Sequence, residues 1–227
     1  MPIYKTKNEH FFKTWTKEMA YILGFFVADG TMRITNRNTR FVEFQITDKE
    51  LLGQIRDALG SNHTIGIRNR NSKWKTAYRL QIGSKTLFGD LERLGMTQNK
   101  SKTVAMPYVP DKYFPDFLRG YFDGDGNVVF GRFKRSDCSS LRQVFSVRFT
   151  SGSELLLQNI HAKLSDMLEI NGSLFWSKGW RLNYAGVASR KLFDFIYRGD
   201  AVEQLIYLER KYKIFQDAIA SNIALRP

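Results

Sequence analysis

The chain has 227 residues, enough for one substantial hydrophobic core or two small fused ones, and its formal net charge is +13. Such basicity favours a polyanionic partner, most often nucleic acid. No run is apolar enough to cross a membrane, and no signal-peptide core or long basic amphipathic helix indicates a membrane partner. Cys138 is the only cysteine, which excludes an intramolecular disulfide and gives Cys138 no partners for a zinc site. We therefore expect a reducing, intracellular compartment: the cytoplasm, or an organelle matrix for an organellar gene.

The first predicted helix begins after Thr16, a favourable N-cap, and ends in the stretch ILGFFVADG at residues 22–30. The small residues Gly24 and Ala28 lie four positions apart and so share one helix face. Asp29 closes the apolar stretch, and Gly30 follows it. The segment therefore predicts an apolar helix that carries a carboxylate at its C-terminal end.

Two hairpins and two further helices complete the first half. Apolar and polar residues alternate over 31–47, with a turn at 36–39, and again over 65–82, with a turn at 71–75. Amphipathic helices are predicted from Asp48, or Thr47, to Gly60 and over 85–94. The order of this unit is αββαββα.

The same order recurs after a connector at about 97–114, which gives an N-terminal unit at 1–105 and a C-terminal unit at 106–227. Residues 118–126, LRGYFDGDG, repeat the first motif, with small residues at Gly120 and Gly124 and a carboxylate at Asp125. A final helix is predicted over about 202–220. Thr150 follows Thr47 by 103 residues, against 96 between the two motif carboxylates, so we expect a first hairpin seven residues longer in this half.

Small residues on matched helix faces allow two backbones to approach closely. If the two motif helices pack along these faces, Asp29 and Asp125 lie side by side at the negative ends of two helix dipoles. A divalent cation shared with a phosphate would relieve both the dipole effect and the mutual repulsion. The alternative is that each Asp only begins a turn with the following glycine.

The two segments resemble the LAGLIDADG motif of the homing endonuclease family. The second copy is very close, whereas the first has Val27 where the motif usually has an acid. The resemblance implies an α+β fold of two pseudo-symmetric αββαββα repeats, which form a saddle of antiparallel sheets with the motif helices packed at the centre. It also implies a monomer in which Asp29 and Asp125 are catalytic and bind Mg2+ or another divalent cation.

The resemblance further places a basic residue near each scissile phosphate, and Lys100 and Lys211 are the candidates. For these two, the alternative is an ordinary surface lysine. Asp48 and Ser151 occupy strand ends where relatives often position water with a polar side chain. We expect both to act as helix N-caps, a role compatible with positioning water.

Basic and amide side chains dominate the polar face of the predicted hairpins or lie in loops beside it. Such groups hydrogen-bond base edges and neutralise phosphates. A merely solvated face would mix in more acids, and Glu43 is the only clear one. The candidate DNA-binding residues are Arg33, Arg37, Gln45, Arg68, Arg70, Arg79, Gln81, Lys134, Arg135, Arg148, Lys178, Arg181 and Asn183.

These features together predict a metal-dependent, site-specific endonuclease that makes a staggered cut in double-stranded DNA at a long pseudo-palindromic site. The resemblance implies a mobile-intron context, and we expect a free-standing enzyme. The alternatives are an RNA-splicing maturase, with intron RNA as its partner, and a non-cleaving DNA-binding protein of the same fold. A plain RNA-binding module would expose stacking aromatics on its sheet, whereas most strand aromatics here fall on the core side.

Overall fold

The computed structural model describes residues 4–68, 75–134, 141–197 and 202–221. The first half contains α1 (Lys17–Asp29), β1 (Gly30–Ile34), β2 (Arg40–Ile46), α2 (Lys49–Ala58), β3 (Ile65–Arg68), β4 (Ala77–Gly83) and α3 (Lys85–Arg93). The second half contains α4 (Phe114–Asp125), β5 (Gly126–Lys134), β6 (Leu141–Ser151), α5 (Glu154–Leu168), β7 (Ser173–Trp176), β8 (Trp180–Ala185), α6 (Val187–Ile196) and α7 (Glu209–Ala220). The predicted αββαββα order is confirmed in both halves, and α7 is an addition to the second.

Each half forms one four-stranded antiparallel sheet. The strand orders are β1-β2-β4-β3 and β5-β6-β8-β7, so the two sheets have the same topology. The predicted α+β class with two pseudo-symmetric repeats is confirmed. None of the described helices combines the length and the apolar character that a membrane span requires.

Among the described residues, side-chain caps set the start of four of the seven α-helices. Thr16 caps α1 as predicted, Asp48 caps α2, and Ser84 and Ser153 cap α3 and α5; each side chain accepts from a backbone N–H three residues ahead. The prediction for Asp48 therefore fits the structure. Ser151 does not cap a helix; its hydroxyl accepts from the N–H of Ser153.

The last helix is shorter than predicted. It begins at Glu209, and residues 202–204 form only a 3-10 turn. Leu208 is extended, with φ −88° and ψ 101°, and its side chain offers no cap. The backbone N–H of Leu208 instead donates to a carboxylate of α4, which is described below.

The two motif helices lie at the centre of the core. Every residue of α1 from Met19 to Val27 is buried, as expected for a helix that is apolar all round. Phe25 and Phe26 pack against Phe44 of β2. In the second half Tyr121 and Phe122 pack against Phe149 of β6. Phe149 is thus the counterpart of Phe44.

The strand register gives the same equivalence and corrects the predicted length of the insertion. Gly30 pairs with Phe44, and Gly126 pairs with Phe149. These phenylalanines lie 105 residues apart and the glycines 96, so the first hairpin of the second half is nine residues longer, not seven. Accordingly β5 has nine residues, whereas β1 has five.

Candidate active site

The motif helices α1 and α4 meet at their small residues. A Cβ added to Gly24 would collide with the carbonyl oxygen of Phe117, and one added to Gly120 would collide with the carbonyl oxygen of Tyr21. One turn further on, Gly124 lies against the methyl group of Ala28. All four predicted interface residues therefore lie at the crossing, where only glycine or alanine leaves room.

This crossing brings the helix C-termini, and with them the two carboxylates, together. Asp29 Oδ2 lies 3.5 Å from the point that a Cβ on Gly124 would occupy, beside Asp125. Burial, and then the charge of Asp125, raises the pKa of Asp29 to about 6 from its usual 3.8. Burial also raises the pKa of Asp125. Keeping two ionised carboxylates in one poorly solvated site is energetically unfavourable, and a bound cation would offset that cost.

The glycine after each carboxylate is needed for space, not for a left-handed turn. Gly30 and Gly126 have φ values of −82° and −91°, so the chain passes directly from helix into extended strand. A Cβ at either position would collide with an aromatic ring of the preceding helix, that of Phe26 or Phe122. The Asp-Gly turn considered as an alternative is therefore absent.

Two buried lysines approach the helix ends from opposite halves. Lys100 Nζ donates to the carbonyl of Gly30 at 2.7 Å and lies over the ring of Phe26. Lys211 Nζ donates to the carbonyls of Phe122, Asp123 and Gly126 at 2.6–2.9 Å and lies over the ring of Phe122. A cation at a helix C-terminus opposes the negative end of the dipole. Neither is an ordinary surface lysine, since they are 5% and 4% exposed.

These lysines share the electrostatic environment of the carboxylates. Burial lowers the pKa of Lys100 to about 8, and the two catalytic candidates Asp125 and Asp29 oppose that shift. Burial likewise lowers the pKa of Lys211 to about 8, opposed mainly by Asp123. The site is thus two carboxylates flanked by two ammonium groups, arranged about the pseudo-twofold axis.

The two carboxylates suit a hard divalent cation whose remaining ligands are water and substrate oxygens. Within the described residues, no group of three or more His, Cys, Asp or Glu side chains is placed to hold a metal ion. Mg2+ commonly binds through one or two carboxylates together with water and substrate phosphates. Asp29 and Asp125, close enough for the charge of Asp125 to raise the pKa of Asp29, are the ligands that would hold it.

Asp123, two residues before Asp125, was missed by the sequence reasoning. It is 1% exposed, and its Oδ2 accepts from the hydroxyl of Tyr21 at 2.7 Å and from the N–H of Leu208 at 2.9 Å. It therefore joins α1 to α4 and caps the backbone that enters α7, which carries Lys211. The signal was present, since an acid stands here where the first motif has Val27.

Arg119, one turn before Asp123 on α4, contacts the same segment. This buried arginine donates to the carbonyls of Ile206 and Ile196 and to Asp116, at 2.8–3.0 Å. Its guanidinium also lies over the ring of Tyr21. The path from α6 to α7 is thereby held against the second motif helix.

Comparison with known protein families identifies the family of this chain. The family model for the LAGLIDADG-like domain matches residues 16–94 and 116–219, one match in each half. The chain belongs to this family.

Individual LAGLIDADG relatives agree in fold but are distant in sequence. The meganuclease I-SmaMI, solved on an uncleaved DNA target with calcium ions, has a TM-score of 0.61 at 11% identity, covering 94% of this chain and 95% of that one. The LAGLIDADG meganuclease I-AabMI, bound to uncleaved DNA, has a TM-score of 0.58 at 16% identity, covering 91% and 93%. Identities this low establish the fold alone.

A further match lies in a larger protein. The DNA-directed RNA polymerase subunit Rpo1C of Methanocaldococcus jannaschii is 30% identical over 147 residues, 63% of this chain and 15% of the subunit. The chain spans less than half the length of each of two curated relatives.

In the first LAGLIDADG repeat, most of the predicted DNA-binding residues share one sheet face. The register aligns Arg79 with Gln45 and Gln81 with Glu43, and Arg33 and Arg68 fall on the same side. Arg68 also donates to Gln45 at 2.6 Å. Arg37 lies in the loop between β1 and β2, and Arg70 lies outside the described residues.

The second repeat divides its candidates between face and loops. Arg148 pairs with Asn183, and Arg181 pairs with Thr150, so all three candidates share the face that corresponds to the first. Lys134, at the end of β5, alternates onto the opposite side, that of Phe130, but is exposed there. Lys178 lies in the turn between β7 and β8 with φ 57°. Arg135 lies outside the described residues.

Proposed function

We propose that this chain is a site-specific endonuclease of double-stranded DNA that cuts each strand once and uses Mg2+ or another divalent cation. The observation that supports this most strongly is the pair of buried carboxylates, Asp29 and Asp125, contributed by matched helix ends of the two halves. Each has a buried lysine beside it. One chain supplies both, so a monomer holds a complete pair.

In this proposal Asp29 and Asp125 hold the cation where the backbones of the two DNA strands approach the helix ends. When bound, the cation would lower the pKa of a water molecule and stabilise the leaving oxygen. The ammonium group of Lys100 has three donors, of which one goes to Gly30 in the described structure. A remaining donor is suited to stabilise negative charge that develops on a phosphate.

The sheets supply position and sequence preference. Each presents basic and amide side chains on one face, and the net charge of +13 favours the approach of a polyanion. Two similar faces related by a pseudo-twofold axis suit a long, imperfectly palindromic duplex, and one carboxylate from each half suits a staggered cut.

Selection of cleaved sequences from a randomised duplex library with Mg2+ tests the reaction directly. On the selected site, Asp29→Asn and Asp125→Asn should each abolish double-strand cleavage while duplex binding stays within about threefold, because the basic faces are kept. Asp166→Asn, on the exposed side of α5, serves as the matched control. Full cleavage by either active-site variant would refute the assignment of the site.

One observation favours the maturase as a second candidate. Phe133 and Phe175 lie on the polar side of the second sheet and are 47% and 38% exposed. Exposed aromatic rings on a sheet can stack unpaired bases of RNA. If the chain binds intron RNA, Phe133→Ala and Phe175→Ala should weaken that binding and leave duplex cleavage intact. Equal RNA binding by wild type and both variants would count against this candidate.

A further inference from the structure

The two halves differ in charge at one matched pair of strand residues close to the carboxylates. On β2, Glu43 lies opposite Thr31 and Gln81; on β6, Arg148 lies opposite Asn127 and Asn183. Thr31 and Asn127 each follow the carboxylate of their half by two residues. Glu43 and Arg148 are therefore counterparts, on the polar side of the sheets and near the site.

In the first half this position is internally paired. Gln81 Nε2 donates to Glu43 Oε1 at 2.5 Å, and Arg33 Nε lies 3.9 Å from the same oxygen. Glu43 is 7% exposed. The neighbours thus occupy one carboxylate oxygen, and the group as a whole remains a hydrogen-bond acceptor.

In the second half the corresponding atoms are unpaired. Arg148 Nε, a donor, and Asn183 Oδ1, an acceptor, are both buried and have no hydrogen-bond partner among the described residues. The counterpart of Arg33 is Val129, which offers no polar side chain. Arg148 and Asn183 are register partners on β6 and β8, and buried polar groups without partners are unfavourable. Both side chains would therefore gain hydrogen bonds by turning towards a ligand on the polar face.

The major-groove edge of a G·C pair is complementary to the donors of Arg148 and the side-chain oxygen of Asn183. Guanine presents the acceptors N7 and O6, and its cytosine presents the N4 amino donor. Arg148 can donate to the guanine while Asn183 Oδ1 accepts from the cytosine of the same pair. Glu43, an acceptor, would be repelled by guanine at the matched position and would accept from a cytosine amino group.

We propose that Arg148 with Asn183 reads a G·C pair in one half of the target, and that Glu43 with Gln81 reads cytosine at the matched position of the other half. The target is then non-palindromic at this position close to the cuts. The inference rests on the proposed function and adds to it the bases and the residues that distinguish the two halves.

The test converts one half into the other. The variant Arg33→Val, Glu43→Arg, Gln81→Asn gives the first half the three side chains of the second. Binding selections from a randomised duplex library, in Ca2+ without Mg2+, are run on the variant and on wild type. The variant should gain a preference of about tenfold for guanine at the matched position, so that the selected site becomes palindromic there.

Two single variants keep the test decisive if the triple variant does not fold. Arg148→Ala should remove the guanine preference in one half only. Arg142→Ala, on the same face of β6 but further from the carboxylates, should leave that base pair unchanged. Duplex binding with an unaltered preference at this position in Arg148→Ala would overturn the inference alone. A wild-type chain that selects no duplex would overturn the proposed function and the inference together.

Discussion

Gly120 packs so closely against Tyr21 that a Cβ on the glycine would overlap the carbonyl oxygen of the tyrosine, so the two motif helices meet backbone to backbone. No side chain can be added here without moving a helix. The distance between Asp29 and Asp125, and hence the geometry of a shared cation, is set by this contact.

Gly120→Val should therefore lower both stability and cleavage, although it touches neither carboxylate. Overpacking of this kind costs about 1–3 kcal/mol and pushes the helices apart. Gly89→Ala in α3 is the matched control: nothing lies within 4 Å of its added Cβ, so it should stabilise by up to about 1 kcal/mol. Thermal melts and single-turnover cleavage measure both. Wild-type melting and cleavage in Gly120→Val would contradict the backbone contact.

Arg79 and Arg181 occupy matched strand positions, opposite Gln45 and Thr150. If each reads a base, Arg79→Ala and Arg181→Ala should each relax preference in one half of the target by ~1–3 kcal/mol per contact. If they contact phosphate only, binding should weaken equally for all sequences. The slope of log affinity against log salt concentration should then become shallower by about one unit. Unchanged affinity and unchanged specificity in both variants would mean that the face points away from DNA.

The raised pKa of Asp29 predicts a pH-dependent gain in stability for Asp29→Asn in the absence of metal. The folded pKa of about 6 exceeds the usual 3.8, so the folded state favours the protonated form. Wild-type stability is then lost as pH rises from about 3.8 to about 6, and the variant escapes this loss. The expected gain is about 1–3 kcal/mol at pH 7.5 and much smaller at pH 4. Thermal melts of wild type and variant in chelator measure this gain, with Asp166→Asn as the control. An equal gain at both pH values would refute the prediction.

The two lysines should differ in their contribution to folding. Lys211 uses all three donors on carbonyls of the second motif, whereas Lys100 donates to one carbonyl in the described structure. Lys211→Met removes three hydrogen bonds to backbone carbonyls and Lys100→Met removes one, so Lys211→Met should cost about 1–3 kcal/mol more stability. Lys100→Met should chiefly slow cleavage. Thermal melts and single-turnover cleavage rates of the two variants test this difference. A larger loss of stability in Lys100→Met than in Lys211→Met would contradict the prediction.

Sequence reasoning found the elements that depend on local pattern. The motif helix of the first half follows from an apolar run with Thr16 before it and Gly30 after it. The alternation in β2 and β4 placed Gln45 and Arg79 on one face, as the register shows. Likewise, the small residues at positions 24 and 120 indicated a close crossing. These signals reside in a few neighbouring residues.

Features set by distant contacts could not be read in the same way. The comparison of Thr150 with Thr47 aligns Phe149 with Ile46, whereas the structure aligns it with Phe44. A register shift of two leaves every side chain on the same face, so the pattern of alternation could not reveal it. The start of α7 depends on Asp123, which caps Leu208 from 85 residues away. A helix whose N-terminus is satisfied from another element carries no local start signal.

The crossing of α1 and α4 also bears on how such a molecule could be assembled from parts. At Gly24 and Gly120 the space that a Cβ would need is taken by backbone carbonyl groups of the facing helix, so the shape of the crossing there does not depend on large side chains. Any half that keeps small residues at these positions presents the same surface to its partner. Duplication followed by fusion would need no new interface, and halves could be exchanged between relatives while the faces that contact DNA diverged separately.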